Sequence, residues 1–102
     1  LASLSFNTTG YQNTSIGNNS LNNNTIGFQN TALGTFALYK SKTGNQNTGL
    51  GSYSLYSNDS GSNNTAIGFN SLYNNISAAI NTGYAYKPSE ADSWFFPALS
   101  LN

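Results

Sequence analysis

A step of seventeen residues lays this chain over itself. The segment Asn64-Thr65-Ala66-Ile67-Gly68-Phe69-Asn70-Ser71-Leu72 returns in the same frame at Asn47 to Leu55, Asn30 to Leu38 and Asn13 to Leu21. Each copy reads Asn-Thr-small-Ile/Leu-Gly, two variable residues, a small residue and Leu. The Asn column is Asn13, Asn30, Asn47, Asn64 and Asn81, and the Thr column is Thr14, Thr31, Thr48, Thr65 and Thr82. Glycine recurs twice per copy, at Gly10, Gly27, Gly44 and Gly61 and again at Gly17, Gly34, Gly51 and Gly68. Only 6% of the chain is charged, and that composition alone would suit a disordered low-complexity tract. Disorder needs no register, so an uninterrupted period argues instead for stacked structural units.

The period excludes most helical folds. No segment spaces its apolar residues for a helix face over three turns, and interior glycines would each cost about 1 kcal/mol there. Asn-Thr-x-Ile-Gly is a short alternating run ending in Gly, which reads as a strand entering a turn or bulge. Seventeen residues hold two strands of about five residues and two turns. The expected fold is therefore all-β, a β-solenoid of about seventeen residues per coil. Five to six coils are expected, and six stacked at about 4.8 Å would make a rod roughly 29 Å long. The solenoid is expected over residues 1–86. The remainder, 87–102, carries the aromatic cluster Trp94, Phe95 and Phe96, a candidate cap or interface.

Stacking accounts for the columns. Asn amides can ladder from coil to coil, aliphatic side chains can form a strip, and glycines can supply positive φ at sharp turns. A charge in any column would repeat and repel itself, which rationalises the scarcity of charge. The apolar strip is expected from Ile16, Leu33, Leu50 and Ile67 together with Leu21, Leu38, Leu55 and Leu72. Side-chain alternation puts Thr14 and Ile16 on one side of the strand and Asn13, Ser15 and Gly17 on the other. The Asn side carries only small partners, Ser15, Ala32, Gly49, Ala66 and Gly83. If it faces inward, the coil is thin and the Ile/Leu side needs a second chain to cover it; if Ile faces inward, one chain suffices. The first arrangement is the one expected, and with it an oligomer.

The Asn-Thr-Ala-Ile-Gly-Phe-Asn-Ser-Leu copy resembles repeats of phage tail fibres and related bacterial surface proteins. It is also similar to the head repeats of trimeric autotransporter adhesins, which carry an Ala-Ile-Gly core but a shorter period. The resemblance covers residues 2 to about 85 and rests on the Asn-Thr, aliphatic and glycine columns. It implies a left-handed parallel β-roll, often trimeric, serving as a stiff extracellular fibre or an adhesive head on a cell or virion surface.

Chemistry has little material here. The carboxylates are Asp59, Glu90 and Asp92; His and Cys are absent, so no catalytic triad, usual zinc site or disulfide can be built. The expectation is a non-enzyme without cofactor. Zero net charge leaves no basic stripe for nucleic acid, and no apolar run of 18 residues spans a bilayer. The expected partner is the chain itself, laterally or end to end, since residue 1 begins in mid-repeat. A surface glycan or receptor is the alternative, met by a row of Tyr39, Tyr56 and Tyr73; packing of those rings coil on coil is the plainer reading. Asn58 and Asn75, at expected turns within Asn-x-Ser/Thr sequons, are candidate glycan acceptors. Ice binding through the Thr column is a weaker alternative, because Thr shares its side with Ile and Leu and forms a line rather than a plane.

Overall fold

The computed structural model describes residues 2–84. Among them are five three-residue strands: β1 (Thr14–Ile16), β2 (Thr31–Leu33), β3 (Thr48–Leu50), β4 (Thr65–Ile67) and β5 (Thr82–Tyr84). They form one parallel sheet in the order β1-β2-β3-β4-β5. Every pairing offsets the chain by seventeen residues: Thr14 lies beside Thr31, Thr31 beside Thr48, Thr48 beside Thr65 and Thr65 beside Thr82. The chain is a β-solenoid, and the sequence columns are spatial columns. Five rungs at the usual strand spacing span about 19 Å.

The coil differs from the sequence expectation in having one strand, not two. The rest of each coil is a series of tight turns. Ser20 N donates to Gly17 O and Asn24 N donates to Leu21 O, and both bonds recur coil by coil. Three non-glycine columns take left-handed backbone and prevent a second strand: Gln12/Gln29/Gln46/Asn63/Ile80, Asn19/Phe36/Tyr53/Asn70 and Leu4/Leu21/Leu38/Leu55/Leu72, with φ between 47° and 62°. An L-residue in that region costs roughly 1–2 kcal/mol. The leucines offset it by burial, since Leu21, Leu38 and Leu55 are fully enclosed.

Glycine has two separate duties. Gly17, Gly34, Gly51 and Gly68 leave the strand with φ of 116–134°, as expected for a sharp turn. Gly10, Gly27, Gly44 and Gly61 do not need positive φ. A Cβ there would lie 2.2–2.5 Å from the carbonyl oxygen of the residue one coil on, so close approach of backbones excludes any side chain.

The core is thin. Within each strand the middle residue points inward, and Ala32 and Ala66 are fully buried while Ile16, Leu33 and Ile67 face out. The opposite wall supplies the Leu column: a Cβ on Gly83 would meet Leu72 Cγ at 2.7 Å, and one on Gly49 would meet Leu38 Cγ at 3.5 Å. There is room for a leucine on one wall only, which is why the facing strand position is Ser, Ala or Gly. This settles the side-chain alternation as expected and corrects the single apolar strip. Leu21, Leu38, Leu55 and Leu72 are the core, whereas Ile16, Leu33, Leu50 and Ile67 form a different, outward column.

Asparagine does the rest of the interior work. In the column Asn13, Asn30, Asn47 and Asn64, each Oδ1 accepts the backbone N–H of the Asn one coil on, at 2.9–3.0 Å. Each Nδ2 donates to the carbonyl fourteen residues ahead, from Asn13 to Gly27 O through to Asn64 to Ala78 O. The expected amide ladder is thus chiefly side chain to backbone, with Asn47 Nδ2 to Asn30 Oδ1 as a direct rung at 3.1 Å. Buried amides are tolerable only when satisfied, and both ends of these are.

A second Asn column was not anticipated. Asn7, Asn24, Asn58 and Asn75 each donate Nδ2 to the carbonyl three residues on, at 3.0–3.1 Å. Asn24 also donates to Asn7 Oδ1 (2.8 Å) and Asn75 to Asn58 Oδ1 (2.9 Å). Position 41 in this column is Ser, and its Oγ and the facing Asn24 Oδ1 are buried without partners. Asn58 and Asn75 are buried ladder members, so their side chains are not the accessible glycan acceptors expected at turns.

Candidate functional site

Two surfaces follow from this packing. The first is the outer face of the sheet. Because the middle strand residue is turned in, each coil presents Thr and an aliphatic residue outward: Thr14 with Ile16, Thr31 with Leu33, Thr48 with Leu50, Thr65 with Ile67, and Thr82 with Tyr84. Ile16 is 59% exposed, Leu33 45% and Ile67 40%, in one line and in register. Leu50 in the middle is half-buried. No charged residue occupies either column. The Thr hydroxyls make a single line beside the aliphatic one, so the face is mixed rather than a plane of hydroxyls. A regular uncharged apolar line of this kind is suited to being covered by a matching surface.

The second surface lies after the Gly-turn, where aromatic residues replace the Asn residues of the first coil. Tyr39, Tyr56 and Tyr73 stack directly, with centroids 5.4 and 4.9 Å apart and planes within 14°. Phe36 and Tyr53 form a parallel stack at 5.3 Å and 14°. The two stacks touch edgewise, Phe36 against Tyr39 at 4.9 Å and Tyr53 against Tyr56 at 5.5 Å. The Lys40 ammonium sits 5.5 Å from the centre of the Tyr56 ring. Burial, and then the neighbouring phenols Tyr73, Tyr39 and Tyr53, push the Tyr56 hydroxyl above its ordinary pKa. The rings that could have served as a platform for sugars are half-buried, and Tyr56 has a tyrosine on each side. The row is a coil-on-coil packing device.

Of the residues singled out from sequence, the Asn and Thr columns are brought into straight lines, and Tyr39, Tyr56 and Tyr73 into one stack. The two leucine-containing columns are separated by the wall of the coil. Trp94, Phe95 and Phe96, and with them the cap expected over 87–102, lie outside the described residues. The contributions of Phe36 and Tyr53 were missed, although both belong to one column at the seventeen-residue step. Among the described residues no group of three or more His, Cys, Asp or Glu is placed to hold a metal, and no helix is long and apolar enough to cross a membrane. Comparison with family models, with curated proteins and with solved structures finds no match to this chain.

Proposed function

We propose that the chain is a structural or adhesive protein, a β-solenoid module that assembles with copies of itself into an extracellular fibre. The observation that carries this reading is the outward aliphatic line of Ile16, Leu33, Leu50 and Ile67, which a second copy covers with an equivalent line. The absence of charge from the face removes the usual repulsion between identical surfaces. Near-zero net charge of the chain acts the same way. The sequence resemblance to tail-fibre and adhesin-head repeats supports the same role at a cell or virion surface.

The test is the oligomeric state of the full chain by light scattering and negative-stain microscopy. The unmodified protein is expected as oligomers or filaments. Replacing Leu33, Leu50 and Ile67 together by Thr puts polar, β-branched, strand-compatible residues on the outer face and should release monomers with unchanged circular dichroism. A protein that is monomeric at high concentration before any substitution would overturn the proposal. A receptor- or glycan-binding head is the other reading, in which the ring edges left exposed by the Tyr stack touch sugar. A glycan array probed with the full chain and with Tyr39, Tyr56 and Tyr73 replaced by Ala separates the two.

A further inference from the structure

The geometry points to the tyrosine cluster centred on Tyr56 as an oxidative cross-linking site, where one-electron oxidation joins two phenol rings into dityrosine and staples neighbouring coils covalently. Tyr56 is the hub. Its ring centre lies 4.9 Å from Tyr73, 5.4 Å from Tyr39 and 5.5 Å from Tyr53, and no other described tyrosines approach as closely. Tyr53 and Tyr73 are the next pair, at 6.2 Å. Coupling of this kind requires two phenols held together long enough for two radicals to meet. Turns stacked in register at the seventeen-residue step hold these rings side by side, whereas phenols on a flexible chain meet only by collision. All four are half-buried, leaving part of each ring open to a small oxidant. The chain has no cysteine, so a covalent coil-to-coil bond must come from another side chain.

The oxidant is a peroxide acting through a haem peroxidase. Two phenols each lose one electron and one proton, giving two phenoxyl radicals, while the peroxide takes two electrons and two protons and leaves as two waters. The carbon ortho to oxygen (Cε) on Tyr56 bonds to Cε on its neighbour. The two ring hydrogens displaced at that bond shift to the two oxygens and restore both aromatic phenols. The Lys40 ammonium beside Tyr56 disfavours a radical cation, so electron loss is coupled to loss of the phenolic proton. A radical first formed on Tyr39, Tyr53 or Tyr73 reaches Tyr56 across a single ring contact. The closest partner, Tyr73, gives a bond between residues seventeen apart. That closes a loop in the unfolded chain and raises the unfolding midpoint, as any cross-link compatible with the native geometry does.

The experiment treats dilute full-length chain with hydrogen peroxide and a haem peroxidase, reads dityrosine fluorescence, and maps linked peptides by mass spectrometry. The expected result is an intramolecular product joining Tyr56 to Tyr73 or Tyr39, one coil away on either side, with yield independent of protein concentration. Tyr56→Phe keeps the ring in the stack and should lose that product while circular dichroism is unchanged. Tyr11→Phe should leave it intact, because Tyr11 is stacked on Phe28 and touches none of the cluster. Equal yield from Tyr56→Phe overturns the assignment, and so does a product that forms only between molecules or no product at all. The outcome is independent of fibre assembly, since it is read on a single chain.

Discussion

Replacing Ser41 by Asn should stabilise the protein, and the structure gives the size of the effect. Where the inner column holds Asn, one amide does two jobs: Asn24 Nδ2 donates to Gly27 O at 3.1 Å and to Asn7 Oδ1 at 2.8 Å. Asn75 repeats the pattern with Ala78 O and Asn58 Oδ1. At coil two the hydroxyl of Ser41 is too short for either, leaving its own Oγ and Asn24 Oδ1 buried and unpartnered. Giving a partner to a buried orphan acceptor recovers about 1–3 kcal/mol, and a further amide-carbonyl bond adds about 1 kcal/mol. Against this stand about 1 kcal/mol for ordering the longer side chain and about 1 kcal/mol of crowding. The net is a gain of about 0–2 kcal/mol, about 1 kcal/mol at its centre, at about 4–8 °C in Tm per kcal/mol for a domain of this size. Thermal and denaturant melts followed by circular dichroism measure it. The reciprocal change, Asn58→Ser, should lower the midpoint by removing the Oδ1 that accepts from Asn75 Nδ2 and Asn64 Nδ2, and the pair of substitutions should not be additive. A Ser41→Asn variant with unchanged or lower Tm would refute the view that this inner column contributes net stability rather than merely filling space.

Three further outcomes follow from local geometry. Ile80 is β-branched, 80% exposed and held at φ 60°, in a column that elsewhere carries Gln or Asn. Ile80→Asn should therefore raise stability by about 1 kcal/mol in a denaturant titration. Gly44→Ala places a methyl 2.2 Å from Gly61 O, backbone that cannot step aside. It should cost about 3 kcal/mol or more and lower Tm accordingly. The Tyr56 hydroxyl is harder to ionise folded than unfolded. Its contribution is therefore complete below the unfolded value of about 10 and is lost as pH rises through the folded value. The melting temperature should begin to fall above about pH 10 in an alkaline titration, and Tyr56→Phe should flatten the fall.

The seventeen-residue step and the parity of the strand were legible because both are relations between like residues at fixed intervals. The smallness of Ser15, Ala32, Gly49, Ala66 and Gly83 was enough to say which side faces inward. Parity does not survive a turn, however. Leu21 lies five residues past Ile16, across a left-handed corner, and alternation could not say that one is core and the other surface. The corners themselves were hidden because Leu, Gln, Phe and Tyr occupy left-handed positions where glycine is the usual signal. The inner Asn column was hidden by its exception at Ser41 and by context, since Asn among Ser and Thr reads as solvated turn. Asn24 and Asn58 are instead fully buried, as enclosed as Asn30, Asn47 and Asn64. The tyrosine stack was visible as a row in the sequence, but only the folded coil shows that the row is doubled by Phe36 and Tyr53.

Because the bonds between coils join residues 14 to 18 places apart and recur at a step of seventeen, what the chain measures is its own length. Excising seventeen consecutive residues inside the rod rejoins equivalent atoms and shortens it by one graduation of about 4.8 Å. Excising sixteen or eighteen misaligns every corner beyond the cut. Gain or loss of a whole seventeen-residue copy therefore lengthens or trims the protein in whole increments, so that reach can change independently of shape.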